Sequence, residues 1–161
     1  MGVPLKPRRI FKLRRGQEGS AVVEFALCLI PLLIIVGGIL DFGHLWYMQS
    51  ILATASREGA RYATHYSSAK VTPNNLSPSI QNYVLNTPAE NGGAGGVGLS
   101  DLLSADASPA VIPGGPGYTT GTGSVSVQVT AKKYWFMLSY LIPGLSNPQL
   151  LSVTTWMTCE Y

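Results

Sequence analysis

Residues 20–40 read SAVVEFALCLIPLLIIVGGIL, and the sixteen from Phe25 to Leu40 carry no formal charge. A hydrocarbon core takes about twenty residues of α-helix to cross. Ser20 to Leu40 is long enough provided that Glu24 sits near one face of the bilayer. Lipid offers no partner to a loose backbone amide, so the run must be helical. Pro31, Gly37 and Gly38 would break a helix in water but are tolerated in a membrane span.

The residues before the run fix its direction. Lys6, Arg8, Arg9, Lys12, Arg14 and Arg15 precede it with no acid among them, and Glu18 is the sole acid through Gly19. The remaining five basic and seven acidic residues leave the rest of the chain slightly acidic, so the net charge of +3 belongs to the head. A basic head touches nucleic acid or anionic lipid. Its place beside an apolar run favours lipid, and nucleic acid is not expected as a partner. No basic residue follows the run until Arg57, which puts the N-terminus in the cytoplasm and the C-terminus outside it. Asp41, His44, Trp46 and Tyr47 then read as an interfacial belt. A secretory signal peptide shares the basic and apolar regions, but its cleavage site should follow within a few residues. The nearest A-x-A, Ala53-Thr54-Ala55, lies well beyond Leu40 in a stretch that stays helical.

From Asp41 to Tyr66 there is no proline. Phe42, Leu45, Leu52, Ser56, Ala60 and Ala63 recur at helical spacing, which predicts a continuation of the helix over 42–66. Ser56/Ala60 and Gly59/Ala63 have the spacing that lets backbones approach closely, either against another helix or against the chain's own sheet. Glu58 and Arg61 stand three apart, the separation of a helical ion pair. Residues 67–123 hold most of the proline and glycine and read as loop, with Ile80–Leu85 and Leu99–Ala105 as short helical interruptions. Order returns in 124–161. SVSVQVTAKK alternates, with Val125, Val127 and Val129 on one face, and LLSVTTWMTCEY alternates again, as half-buried strands do. The expected fold is α+β: a long N-terminal transmembrane helix (20–41), continued outside the membrane and packed on a small antiparallel sheet of two to four strands.

The composition gives enzymes no foothold. His44 and His65 lack metal-ligand spacing, and no nucleophile elbow, P-loop or dinucleotide fingerprint is present. No catalytic residue, metal ligand, cofactor or small-molecule substrate is expected. Cys28 in the span and Cys159 near the C-terminus are expected to stay unpaired.

What chemistry there is lies at the membrane entry, RRGQEGSAVVEFAL (14–27). A carboxylate inside an apolar span is costly and by default functional. Glycine, four residues, glutamate and an aromatic resemble the type III signal of type IV pilins. On that resemblance a prepilin peptidase removes the basic leader, residues 1–19, by cutting between Gly19 and Ser20, and Glu24 and Phe25 serve assembly. The longer stretch GSAVVEFALCLIPLLIIVGGILDFG, with SREGARYA after it, is similar to the TadE-like family of minor pilins (pseudopilins) of tight-adherence, type IVc pili. The shared features are Glu24 to Leu27, Pro31, Asp41-Phe42, and Ser56 to Ala60 with Arg61. VTTWMTCEY is similar to the family's last strand, but lacks the arginine often found before the terminal glutamate. Residues 67–124 have no counterpart in it.

The resemblance implies a single-pass protein of the inner membrane, able to enter a pilus, which supports surface adherence. Its partners would be membrane lipid, the prepilin peptidase, other pilin subunits and the assembly machinery. The new amine of Ser20 would pair with Glu24 of a neighbouring subunit. Two alternatives stand beside this. Glu24 could instead snorkel to the headgroups, and the chain could be an uncleaved, single-pass anchor for a partner-binding outer domain.

Overall fold

The computed structural model describes residues 17–65 and 72–159. The basic head, and hence the body of the expected leader, lies outside the described residues. Helix α1 runs from Gln17 to His65 without interruption at Pro31. The chain divides into two units, the first ending at Val36 and the second beginning at Gly37.

In the first unit, from Phe25 to Val36, α1 is apolar on every side. Val22, Phe25, Leu27, Ile30, Leu33 and Ile35 are all exposed, and only Leu29 and Ile34 are half-buried. A helix that is hydrophobic all round needs an apolar solvent. Among the described residues this is the one helix long and apolar enough to cross a membrane.

In the second unit the same helix becomes amphipathic. Gly37, Asp41, Met48, Leu52, Ala55, Ser56, Gly59, Ala60 and Ala63 are buried while their neighbours are exposed, a spacing of three and four that keeps one stripe inward. The stripe packs on a three-stranded antiparallel sheet in the order β1-β2-β3. Its strands are β1 (Ala110–Gly114), β2 (Gly123–Lys133) and β3 (Gln149–Cys159). Val111 lies opposite Val129, and Val129 opposite Val153, so the inward rows of all three strands align. Val125, Val127, Val129 and Ala131 are buried under α1 with Leu52, Ala55 and Ala60. The small residues of α1 therefore serve close approach to the chain's own sheet. A Cβ on Gly59 would stand 2.6 Å from Val84 Cγ2 and 3.2 Å from Val127 Cγ1. The Ser56 hydroxyl donates to the Val127 carbonyl at 2.7 Å and shares a second hydrogen bond with the Thr155 hydroxyl at 2.8 Å, which satisfies a buried polar group. Glu58 and Arg61 form no ion pair; the one among the described residues is elsewhere.

Between α1 and the sheet come α2 (Ile80–Leu85) and α3 (Leu99–Leu102), the two helical interruptions the sequence predicts. Ser79 caps α2 by accepting the Asn82 N–H at 3.2 Å. Tyr83 stacks on Tyr62 at 4.0 Å between ring centroids, and Ile80, Val84, Leu99 and Leu103 close the end of the core. The stretch 67–123 is not all loop. It also contains β1 and α4 (Pro116–Thr120). Pro113 and Gly114 hide the strand from a reading by composition, yet at the edge of a sheet a proline costs little, because an edge strand needs only one row of hydrogen bonds. The fifth helix, α5 (Leu138–Leu141), is a single turn in the β2–β3 connection.

Candidate functional site

Gly19, Ser20, Glu24 and Phe25 lie together on the first turns of α1, all exposed. The Ser20 hydroxyl donates to Glu24 Oε1 at 3.3 Å, one helical turn away. No cation pairs with Glu24 among the described residues. Nothing lies within 4 Å of where a Cβ on Gly19 would stand. Four residues thus share one end of the helix, with a carboxylate that no described residue neutralises.

A second constellation stands where the uncharged run ends. Asp41 is not part of an exposed belt, as its position suggests, but 2% exposed. Its carboxylate accepts the backbone N–H groups of Phe136 at 2.8 Å, Met137 at 2.9 Å and Leu138 at 3.0 Å. Lys133 Nζ stands 3.6 Å from Asp41 Oδ1, and Lys133 is only 1% exposed. The ammonium also donates to the Tyr134 carbonyl at 2.5 Å and lies 5.2 Å from the centre of the Trp135 ring. Trp135 in turn meets Phe42 edge to face at 6.2 Å, and its buried Nε1–H finds no acceptor. The side chain of Met137 fills the space that a Cβ on Gly37 would need. The other belt residues do stay outward: His44 stacks on Tyr47, and Trp46 is 74% exposed.

Reading the sequence by residue type missed this cluster, although a signal was there. Lys133 has the same parity as Val125, Val127, Val129 and Ala131, so strand alternation points it inward. A lysine carried to the buried face of a strand calls for a carboxylate, and Asp41, at the end of an apolar helix, is the matching demand.

The described residues include no group of His, Cys, Asp and Glu placed to hold a metal ion. Cys28 and Cys159 are free thiols, and burial pushes the Cys159 thiol up, keeping it neutral and apolar in the sheet. With both ends of the apolar run described, comparison with known families becomes informative. Residues 19–61 match the family model described as TadE-like protein. No curated protein and no solved structure matches the chain. The TadE-like segment begins at Gly19 and ends at Arg61, so it takes in the exposed carboxylate, the apolar run, Asp41 and most of the stripe that packs on the sheet. It supports a minor-pilin-like role associated with tight-adherence pili, in a family that is structural rather than enzymatic.

Proposed function

We propose that this protein is a minor pilin or pseudopilin that acts in assembly of a tight-adherence, type IVc pilus and so supports surface adherence. A prepilin peptidase cuts it between Gly19 and Ser20. It sits in the inner membrane with its N-terminus in the cytoplasm and its sheet domain outside. The observation that carries this reading is the start of the TadE-like match at Gly19, five residues before a helix carboxylate that meets no cation among the described residues. Cleavage creates the missing cation. The new ammonium of Ser20 is the right charge to pair with Glu24 of an adjacent subunit, offsetting the cost of a carboxylate in lipid and setting the axial register between helices. Loss of one member of a buried pair costs about 3–5 kcal/mol, enough to stop assembly.

Mass spectrometry of the protein from membranes tests the reading directly. The mature chain should begin at Ser20, and Gly19→Leu should remain at full mass, because bulk before the cut blocks entry to a peptidase site. A full-length chain in a strain with an active prepilin peptidase would support an uncleaved anchor for a partner-binding outer domain instead.

A further inference from the structure

The β2–β3 connection, residues 134–148, reads YWFMLSYLIPGLSNP and contains no formal charge. Phe136 and Tyr140 are 76% and 91% exposed on it, and Leu141 and Ile142 are about half exposed. Four large, mostly apolar side chains exposed within seven residues are a concentration that calls for a partner. The point of attachment says what the partner is. Asp41 ties the backbone of Phe136, Met137 and Leu138 to α1, and Met137 reaches back to Gly37. At 1.5 Å per residue, Gly37 and Asp41 are about 6 Å apart along the helix. They belong to the last turn of the uncharged run and the residue just after it, so the loop joins α1 at the level where the helix leaves hydrocarbon. Ile39, Leu40, Phe42 and Trp46 are exposed on the same stretch of α1, and Trp135 of the loop meets Phe42 there.

We propose that this loop is a second membrane contact, with Phe136, Tyr140, Leu141 and Ile142 seated at the headgroup–acyl boundary of the leaflet from which α1 emerges. The inference rests on α1 crossing a membrane and is independent of any pilus role. Mixed aromatic and aliphatic side chains without charge suit that boundary. Of the charges nearest the loop, Asp41 and Lys133 are buried against each other and need not be drawn into lipid, and Lys132 is exposed, with a stem long enough to keep its ammonium among headgroups. The α5 turn satisfies part of the loop's backbone, as the Tyr140 and Ile142 N–H groups donate to the Met137 and Leu138 carbonyls. Helix and loop together make two points of attachment to the same leaflet.

The test uses the full chain carrying Cys28→Ala and Cys159→Ala, reconstituted in phosphatidylethanolamine–phosphatidylglycerol vesicles with iodide on both sides. An NBD label is placed at Tyr140→Cys, at Leu33→Cys inside the run, or at Thr154→Cys on the exposed sheet face. Nitroxide-bearing lipids should quench the Tyr140 label almost as strongly as the Leu33 label. Iodide should quench it several-fold less than the Thr154 label, at every protein-to-lipid ratio. A Tyr140 label as open to iodide as Thr154 overturns the proposal. Protection that vanishes as the protein is diluted in lipid also overturns it, and assigns the patch to a second copy of the chain. If the Leu33 label is open as well, the span itself fails and takes the proposal with it, an outcome distinct from the other two.

Discussion

Glu24 and Asp41 both place a carboxylate on a largely apolar part of α1, yet among the described residues only Asp41 meets a cation. The difference predicts opposite responses to neutralisation. Glu24→Gln makes insertion cheaper, because an amide costs less in lipid than a charge, so the variant should reach the membrane at normal levels. If Glu24 pairs with the ammonium of a neighbouring subunit, crosslinking to pilus components and fibre formation should both fall. If it only snorkels, both should be unchanged, and normal pili in Glu24→Gln would end the pairing mechanism. Asp41 responds through stability. Asp41→Ala strands Lys133 and three N–H groups and should cost about 3–5 kcal/mol. Lys133→Met leaves Asp41 its three N–H bonds and should cost clearly less. Thermal unfolding in detergent, followed by near-ultraviolet circular dichroism, ranks the two, and an equal loss would show that the N–H bonds do not hold the carboxylate. The sequence makes the first carboxylate conspicuous, because a charge in an apolar run stands out by composition. It hides the second, because Asp41 and Lys133 are ninety-two positions apart and the parity that turns Lys133 inward does not say which carboxylate it meets.

Elements of the outer domain meet at Gly59, where α1 lies against Ile80 and Val84 of α2 and Val127 of β2. A β-branched side chain there runs into Val84 and Val127, which are buried and have no room to retreat. Gly59→Val should therefore destabilise the domain by about 1–3 kcal/mol, the usual cost of overpacking. Gly43 lies on the exposed side of the same helix with nothing within 4 Å. Gly43→Ala should instead stabilise by up to about 1 kcal/mol, through helix propensity alone. Melting temperatures moving in opposite directions would confirm that α1 is read by face and not by composition. A fall in both would mean that the face turned to solvent here is covered in the protein as purified. At this scale the periodic elements were legible. The three-and-four spacing of α1 and the alternation of β2 and β3 name their buried faces without any partner in view. β1 was not legible, since five residues with a proline and a glycine show no alternation. It becomes a strand through pairing with β2, from Ala110 opposite Thr130 to Gly114 opposite Ser126, a tertiary choice that no local pattern carries.

For the whole molecule, the question is which side of the membrane receives the sheet domain. The orientation proposed above rests on the charge distribution. Six basic residues precede the run, and beyond it none appears until Arg57, which lies on a part of α1 packed to the sheet. Short flanking segments rich in Lys and Arg stay in the cytoplasm, and each such residue near an anionic leaflet contributes about 1 kcal/mol. A phosphatase active only outside the cytoplasm, fused after Tyr161, should therefore be active. Replacing Lys6, Arg8, Arg9, Lys12, Arg14 and Arg15 by Gln should lower that activity and raise that of a cytoplasmic reporter fused at the same point. The neutral head leaves the apolar run intact, so total membrane-bound protein should change little. This separates a lost orientation from a lost insertion. An inactive phosphatase on the unaltered chain would place the sheet domain in the cytoplasm. A cytoplasmic sheet domain cannot join a fibre outside, so the pilin reading would fall. The loop contact at Phe136 and Tyr140 would survive such a result on the opposite leaflet, because it depends only on where α1 leaves the hydrocarbon and not on the side to which it leads.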